Sequence, residues 1–582
     1  MLSKLLVCVM FLLTVFATAP ARAVLTGETK NPTKSAPAAV GSYMLYLQAK
    51  QEMDYAAAIN FLYDALKEDP ENPSLTTEMF ALLAFEGRIK EAFPFAQTEL
   101  KRNPASLLPA LISVAYHAKS GDYKAALKQI ESYPEREENA FLFPLLEVWV
   151  RAGLNDRKKA ESALSKLNRR GTESLYFFHA ALLQDFFDDP DAARENFESL
   201  LGEPGGLSLR AAQAYGNFLL RHGDDKKFKA LLTAYRKNPK TYALIDESFF
   251  TAGGRSAGRR VPKSVSTPNA GLAEAFFDIS GSLSEKGTPE TSIFFIRTAL
   301  ALDSGLSLAR SLLGEQLEKE GRYDEALKLY EAETETSETY FNGQIRAAVI
   351  LARKGDLGNA EKRLRFLADK RNDSTIPWTT LGEAMIEAKK YDRAVSAYTE
   401  ALNRTGVLTR ADWVLLYSRG TAYERAGKWA EAEEDLQRAL LLSPDQPLTL
   451  NYLGYSWLER GKNITEATKM LEQAVRMAPD DGYIADSLGW AYYLRKQYAK
   501  ACEILEKAVE ASPGSAVIND HLGDAYWRVG RKREARFQWK KALVVNDDLD
   551  AEGRGRVELK LEKGLDAVGD KIAVVMTGKK KK

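Results

Sequence analysis

The chain has little of what metal, redox or disulfide chemistry requires: its 582 residues include two cysteines and four histidines. Cys8 lies in an apolar N-terminal stretch, which leaves Cys502 without a partner for an intramolecular disulfide. Stability must then come from packing. His117, His179, His222 and His521 are scattered, form no H-E-x-x-H and stand beside no cysteine pair, so no metal or other cofactor is expected. Each histidine is expected at a helix surface or flank. Charge of one sign is not in excess either, with 81 Lys and Arg against 80 Asp and Glu. That balance predicts no nucleic-acid partner. Beyond the N-terminus no apolar run reaches the roughly 20 residues of a membrane span.

Catalytic motifs are equally scarce. Gly253 to Arg259 has the glycine spacing of a phosphate-binding loop, but no Lys-Ser/Thr pair closes it and no strand precedes it. Asp548, Asp550 and Glu552 open like a calcium loop whose closing position is Leu559 rather than Glu. Cys502 follows the small Ala501 and reads as a packing residue. No nucleophile with a neighbouring base emerges, so the chain is read as a non-enzyme with no catalytic residue.

What is abundant is self-similarity. Ala326, Ala360, Ala394, Ala432, Ala467, Ala501 and Ala535 recur at intervals of 34, 34, 38, 35, 34 and 34 residues, and Ala58, Ala92, Ala126 and Ala160 recur every 34. Tyr323, Leu357, Tyr391, Trp429, Ile464 and Tyr498 precede the alanines of the later set by three, as Tyr55, Ile89 and Tyr123 do in the earlier one. Independent residue types sharing one period and one phase mark a repeat array. Between about 160 and 300 the pattern weakens. Leu175 to Phe187 and Ala211 to Leu220 nevertheless lack period-2 alternation and read as helix.

The full unit, with Leu488-Gly489, Tyr492, Ala501, Leu505, Ala508 and Pro513, resembles the tetratricopeptide repeat (TPR). Leu522-Gly523, Tyr526, Ala535, Trp539 and Ala542 match the same pattern. Small residues let two helices approach, apolar residues at i, i+3 and i+4 fill the contact, and proline ends the second helix. The resemblance implies an all-α, right-handed superhelical solenoid of stacked antiparallel helix pairs, roughly 13–15 units long.

Segment composition suggests the following division. Met1 to Ala23, with Lys4, an apolar core and Ala21-Arg22-Ala23, reads as a signal peptide cleaved after Ala23. That implies export to the periplasm. Residues 24–40 read as a disordered leader, 41–252 as an N-terminal TPR-like array, and 253–270 as a basic flexible loop between arrays. Residues 271–546 form the C-terminal array, and 547–582 a capping helix, expected over Val557 to Leu565, with a lysine tail. Four terminal lysines would give at most peripheral membrane contact.

In the TPR family the inner surface is lined by the first helix of each pair. Register then places Asn451 and Tyr455, then Asp486, Trp490 and Tyr493, then Asp520, Asp524 and Trp527 on that surface. Residues 486, 490 and 493 share one helix face, and such an aromatic, acidic groove suits a basic peptide. The alternative for Trp490 and Trp527 is that they fill space between units. The stretch Leu450 to Leu543 is similar to the C-terminal repeats of exported proteobacterial TPR proteins, some of them lipoprotein adaptors for C-terminal processing proteases. A lipobox is missing here. The resemblance implies a periplasmic adaptor or scaffold for a protein or peptide partner, or else a structural scaffold for outer-membrane or polysaccharide assembly. Oligomeric state is not readable from the sequence.

Overall fold

The computed structural model describes residues 36–134, 141–203, 207–236, 261–284, 289–335, 337–545 and 549–568. The expected signal peptide, most of the leader, residues 253–260 of the basic loop and the lysine tail lie outside them. Among the described residues there are thirty α-helices and no strand. The first, Ala36–Gln51, begins inside the segment read as leader. The capping helix runs Ala551–Lys563.

The period in the sequence is a packing period. All eleven ruler alanines, from Ala58 through Ala535, have no exposed surface, because each methyl sits where two helices cross. Glycine on the first helix allows a still closer approach. A Cβ at Gly489 would lie 2.5 Å from Leu505 Cγ, and one at Gly523 would lie 2.5 Å from Trp539 Cδ1. Asp54, Asp122, Asp156, Asp189 and Asp356 cap the second helices by accepting from the backbone N–H three residues on. Between the helices of a pair the chain turns through left-handed residues such as Gly461 and Gly530. The described part of the weakly patterned middle is also largely helical, with Glu173–Phe186 and Leu209–Arg221 near the expected segments.

The chain divides into two compact units, one ending at Ile350 and one beginning at Leu351. This places residues 271–350 with the N-terminal array, although the loop at 253–270 was expected to separate the two. The reason lies in helices Pro268–Ser284 and Pro289–Leu302. They return across Pro73–Phe85, Leu107–Lys119, Leu142–Gly153 and Glu173–Phe186, the first helices of successive pairs. Gly271 admits the Trp149 ring, and Phe85 meets Phe294 edge-on at 6.0 Å. Tyr123 donates to Asn269 at 3.1 Å, and Glu86 pairs with both Arg297 and Arg322. Every residue from Thr291 to Ala299 is buried, so that helix is surrounded on all sides. The inner face of the first unit is therefore filled by the chain itself.

A methyl group at Gly271 would meet Trp149 Cε3 at 2.0 Å. Gly271→Ala should lower the stability of the first unit by about 1–3 kcal/mol, measured by urea denaturation. An unchanged midpoint would show that this contact does not hold the helix pair in place.

Candidate functional site

In the second unit, helix Gly482–Leu494 touches Pro447–Glu459 on one side and Ala516–Arg528 on the other. These three first helices line one inner face. Their glycines 454, 489 and 523 set the register, and six of the eight expected residues lie three before or one after a glycine. Tyr493 and Trp527 lie four after.

The middle helix contributes a closed cluster. Asp486, Trp490 and Tyr493 are all buried. The Trp490 ring stacks on Tyr493 at 4.6 Å and on His521 of the next repeat at 4.1 Å, with interplanar angles of 5° and 17°. His521 Nδ1 lies 2.9 and 3.0 Å from the two Asp486 oxygens; since a carboxylate only accepts, that nitrogen carries the proton. Burial alone would lower the His521 pKa, but Asp486, aided by Asp520 and Asp524, outweighs it and holds the value above the ordinary one. Trp490 thus fills space between repeats. His521 is not at a helix surface, and neither is His179, whose Nδ1 accepts from Trp149 Nε1 at 3.0 Å. In both cases a polar partner permits burial.

On the last helix the expected residues meet the capping helix. Lys560 Nζ donates to both oxygens of Asp520 and to Asp524 Oδ2, each at 2.8 Å. Trp539 Nε1 donates to Asp524 Oδ1 at 3.0 Å. Burial and the neighbouring Asp520 push the Asp524 pKa up to about 6, against the pull of Lys560. Trp527 donates to Asp566 at 2.9 Å and packs 5.3 Å from Trp539. The sequence offered no signal for Lys560 or Asp566 as partners, because contact across forty residues follows no helical spacing.

Helix Pro447–Glu459 is different. Asn451 Oδ1 is buried and has no hydrogen-bond partner among the described residues. Tyr455 and Glu459 are partly exposed, and their side chains make no hydrogen bond among the described residues. Spacing of i, i+4 and i+8 puts all three on one face. Burial, reinforced by Glu424 and opposed by Arg460 and His521, pushes the Glu459 pKa up to about 7. Sequence reasoning missed Glu459, although it continues the row of Asn451 and Tyr455 by one further turn. Cys502 is a buried thiol, and burial with Glu506 pushes its pKa up to about 11, which suits packing rather than nucleophilic chemistry.

Tetratricopeptide-repeat families match residues 309–339, 413–446 and 462–516. The chain carries tetratricopeptide repeats. A TPR repeat-containing protein of Pseudomonas aeruginosa is 28% identical over 190 residues, which is 32% of this chain and 31% of that relative. The match thus spans under a third of the relative's length. Among solved structures, a tetratricopeptide repeat protein from Parabacteroides merdae is 17% identical, covering 44% of this chain and 97% of that one with a TM-score of 0.34. Yeast Tom70 is 13% identical, covering 91% and 96% with a TM-score of 0.34.

Glu459 has a folded pKa above its unfolded value of 4.5, so its protonated form stabilises the fold below that value, and this contribution is lost as the pH rises through about 7. Glu459→Gln keeps the neutral form at every pH. Thermal unfolding should show the variant more stable than the parent at pH 8, by on the order of 1–2 kcal/mol after allowance for solvent screening. At pH 4 the two should coincide. A parent that is the more stable at pH 8 would contradict the assignment.

Proposed function

We propose that this chain is a non-enzymatic scaffold that holds a protein or peptide partner against the inner face of its second unit, with Asn451, Tyr455 and Glu459 as the contact row. One observation carries the reading: Asn451, Tyr455 and Glu459 share one helix face and their side chains make no hydrogen bond among the described residues, with Asn451 Oδ1 buried. Buried polar atoms are nearly always satisfied. Donors from outside the chain would complete the set. A lysine or arginine side chain suits it best, because Glu459 is an acceptor when ionised and the Asn451 oxygen accepts at any pH.

The first unit supports the same division of labour. Its inner face is occupied by Pro268–Ser284 and Pro289–Leu302, which leaves the inner face of the second unit as the one a partner would use. An aromatic ring beside carboxylates gives contact area together with charge selection. The location we propose is the periplasm, reached through cleavage after Ala23. Within it, an adaptor for a C-terminal processing protease and a scaffold for envelope assembly predict different captured partners.

Tyr455→Ala combined with Glu459→Gln tests the surface more cleanly than Trp490→Ala, since the Trp490 ring is locked between repeats. Crosslinking followed by mass spectrometry of the expressed chain should recover the principal partner about tenfold less from the double variant, at a temperature where thermal unfolding shows both chains folded. Equal recovery from both chains would place the partner elsewhere. Protease peptides among the partners would favour the adaptor reading, and envelope-assembly proteins the other.

A further inference from the structure

The last repeat of the second unit presents a site that is already filled. Helix Ala551–Lys563 buries only Gly553, Val557 and Lys560 of its thirteen residues. Leu565, just beyond it, is also buried. Besides covering the apolar core with Val557, Leu561 and Leu565, this cap hides an ammonium group. The Lys560 side chain is 1% exposed and is gripped by Asp520 and Asp524. A buried ammonium is tolerated only where carboxylates replace its water. Burial would lower its pKa, and the two aspartates more than reverse that.

The rest of the contact has the same character. Asp566 accepts from Trp527 Nε1 at 2.9 Å and from Arg528 at 3.0 Å. Arg536 donates to the Leu561 carbonyl at 2.8 Å. Gly564 lies so close to Trp527 that a Cβ there would meet the ring at 2.5 Å. A lysine, a glycine and an acid from one short segment thus meet two aspartates, a tryptophan and an arginine. That is recognition of a polypeptide by a polar groove, with two apolar anchors, Val557 and Leu565.

Register supports the same conclusion. The position three before the helix glycine holds a nitrogen-bearing side chain in two successive repeats, Asp486 holding His521 and Asp520 holding Lys560. One repeat earlier, the equivalent Asn451 has its oxygen unsatisfied.

We infer that the inner face of the last repeat, Asp520, Asp524 and Trp527, is a docking site for a lysine-bearing helix of a partner protein, and that Ala551–Lys563 is its intramolecular occupant in the free chain. The inference rests on the reading of the second unit as the partner-binding unit. It adds the chemistry of the partner and a tethered competitor that sets a threshold for binding. A partner helix that offers a lysine in place of Lys560, with larger apolar anchors than Val557, displaces the segment. A sequence of opposite charge does not.

The probe is a labelled synthetic peptide of residues 551–568, acetylated and amidated, titrated into the full chain and into the full chain carrying Lys560→Glu. The variant chain should bind the peptide more tightly than the parent by about tenfold or more, and the same peptide carrying Lys560→Glu should bind neither. Equal, weak binding by parent and variant, with unchanged circular dichroism and thermal unfolding, overturns the proposal. Hydrogen exchange of the parent chain decides independently if the variant does not fold. Amides in 551–563 should exchange about tenfold or more faster than those of Lys532–Val544 through local opening. Equal protection would make the segment a fixed cap and also overturn the proposal. Locked amides together with Tyr455-dependent partner recovery would remove this inference alone, whereas peptide binding without that dependence would remove the earlier reading alone.

Discussion

The contact on which the rest depends is the close crossing of the two helices in each pair. It requires a residue with no side chain, or only a methyl group, at a fixed place in the register. Gly489 against Leu505 and Gly523 against Trp539 show the tolerance: one added carbon would fall well inside contact distance. The alanines of the ruler are buried completely for the same reason. Because each crossing involves neighbours in sequence, the array grows by repetition, and its stability is largely a sum of local terms. A regular inner face follows from that regularity, since the same register position returns on each first helix.

What lies on that face differs between the units. In the first, the chain folds back on itself, and a helix buried on every side takes the space a ligand would need. In the second, ring stacking closes the middle of the face around Trp490, while a buried ammonium closes its end. Between these closures and the preceding repeat, the row of Asn451, Tyr455 and Glu459 keeps its polar groups unspent. The raised pKa of Glu459 has the same origin as the unsatisfied Asn451 oxygen: desolvation without a partner.

The division between what the sequence showed and what it hid follows the range of the contacts. Ala501, Gly489 and Leu505 lie within one repeat, so the period and the helix pairs were readable. Trp149 against Gly271 and Arg322 against Glu86 join distant segments and follow no period. The filling of the first unit was hidden for that reason, and a glycine- and proline-containing basic stretch looked like a boundary. His521 and Lys560 were missed on different grounds. Both are polar residues whose burial depends on a carboxylate supplied by another helix, and composition gives no sign of such a pairing. Register left two places open for Trp490, the groove and the space between units, and its stacking on the histidine one repeat later decides for the second.

The scaffold reading depends on a partly exposed contact row, Asn451, Tyr455 and Glu459, on the inner face of the second unit. Its most direct test places a photo-activatable amino acid at position 455 in one chain and at position 469 in another, and irradiates living cells. Lys469 is exposed on a second helix and serves as the control. The account predicts an intermolecular adduct from position 455 that is absent from position 469. Adducts from 469 with none from 455 would contradict it.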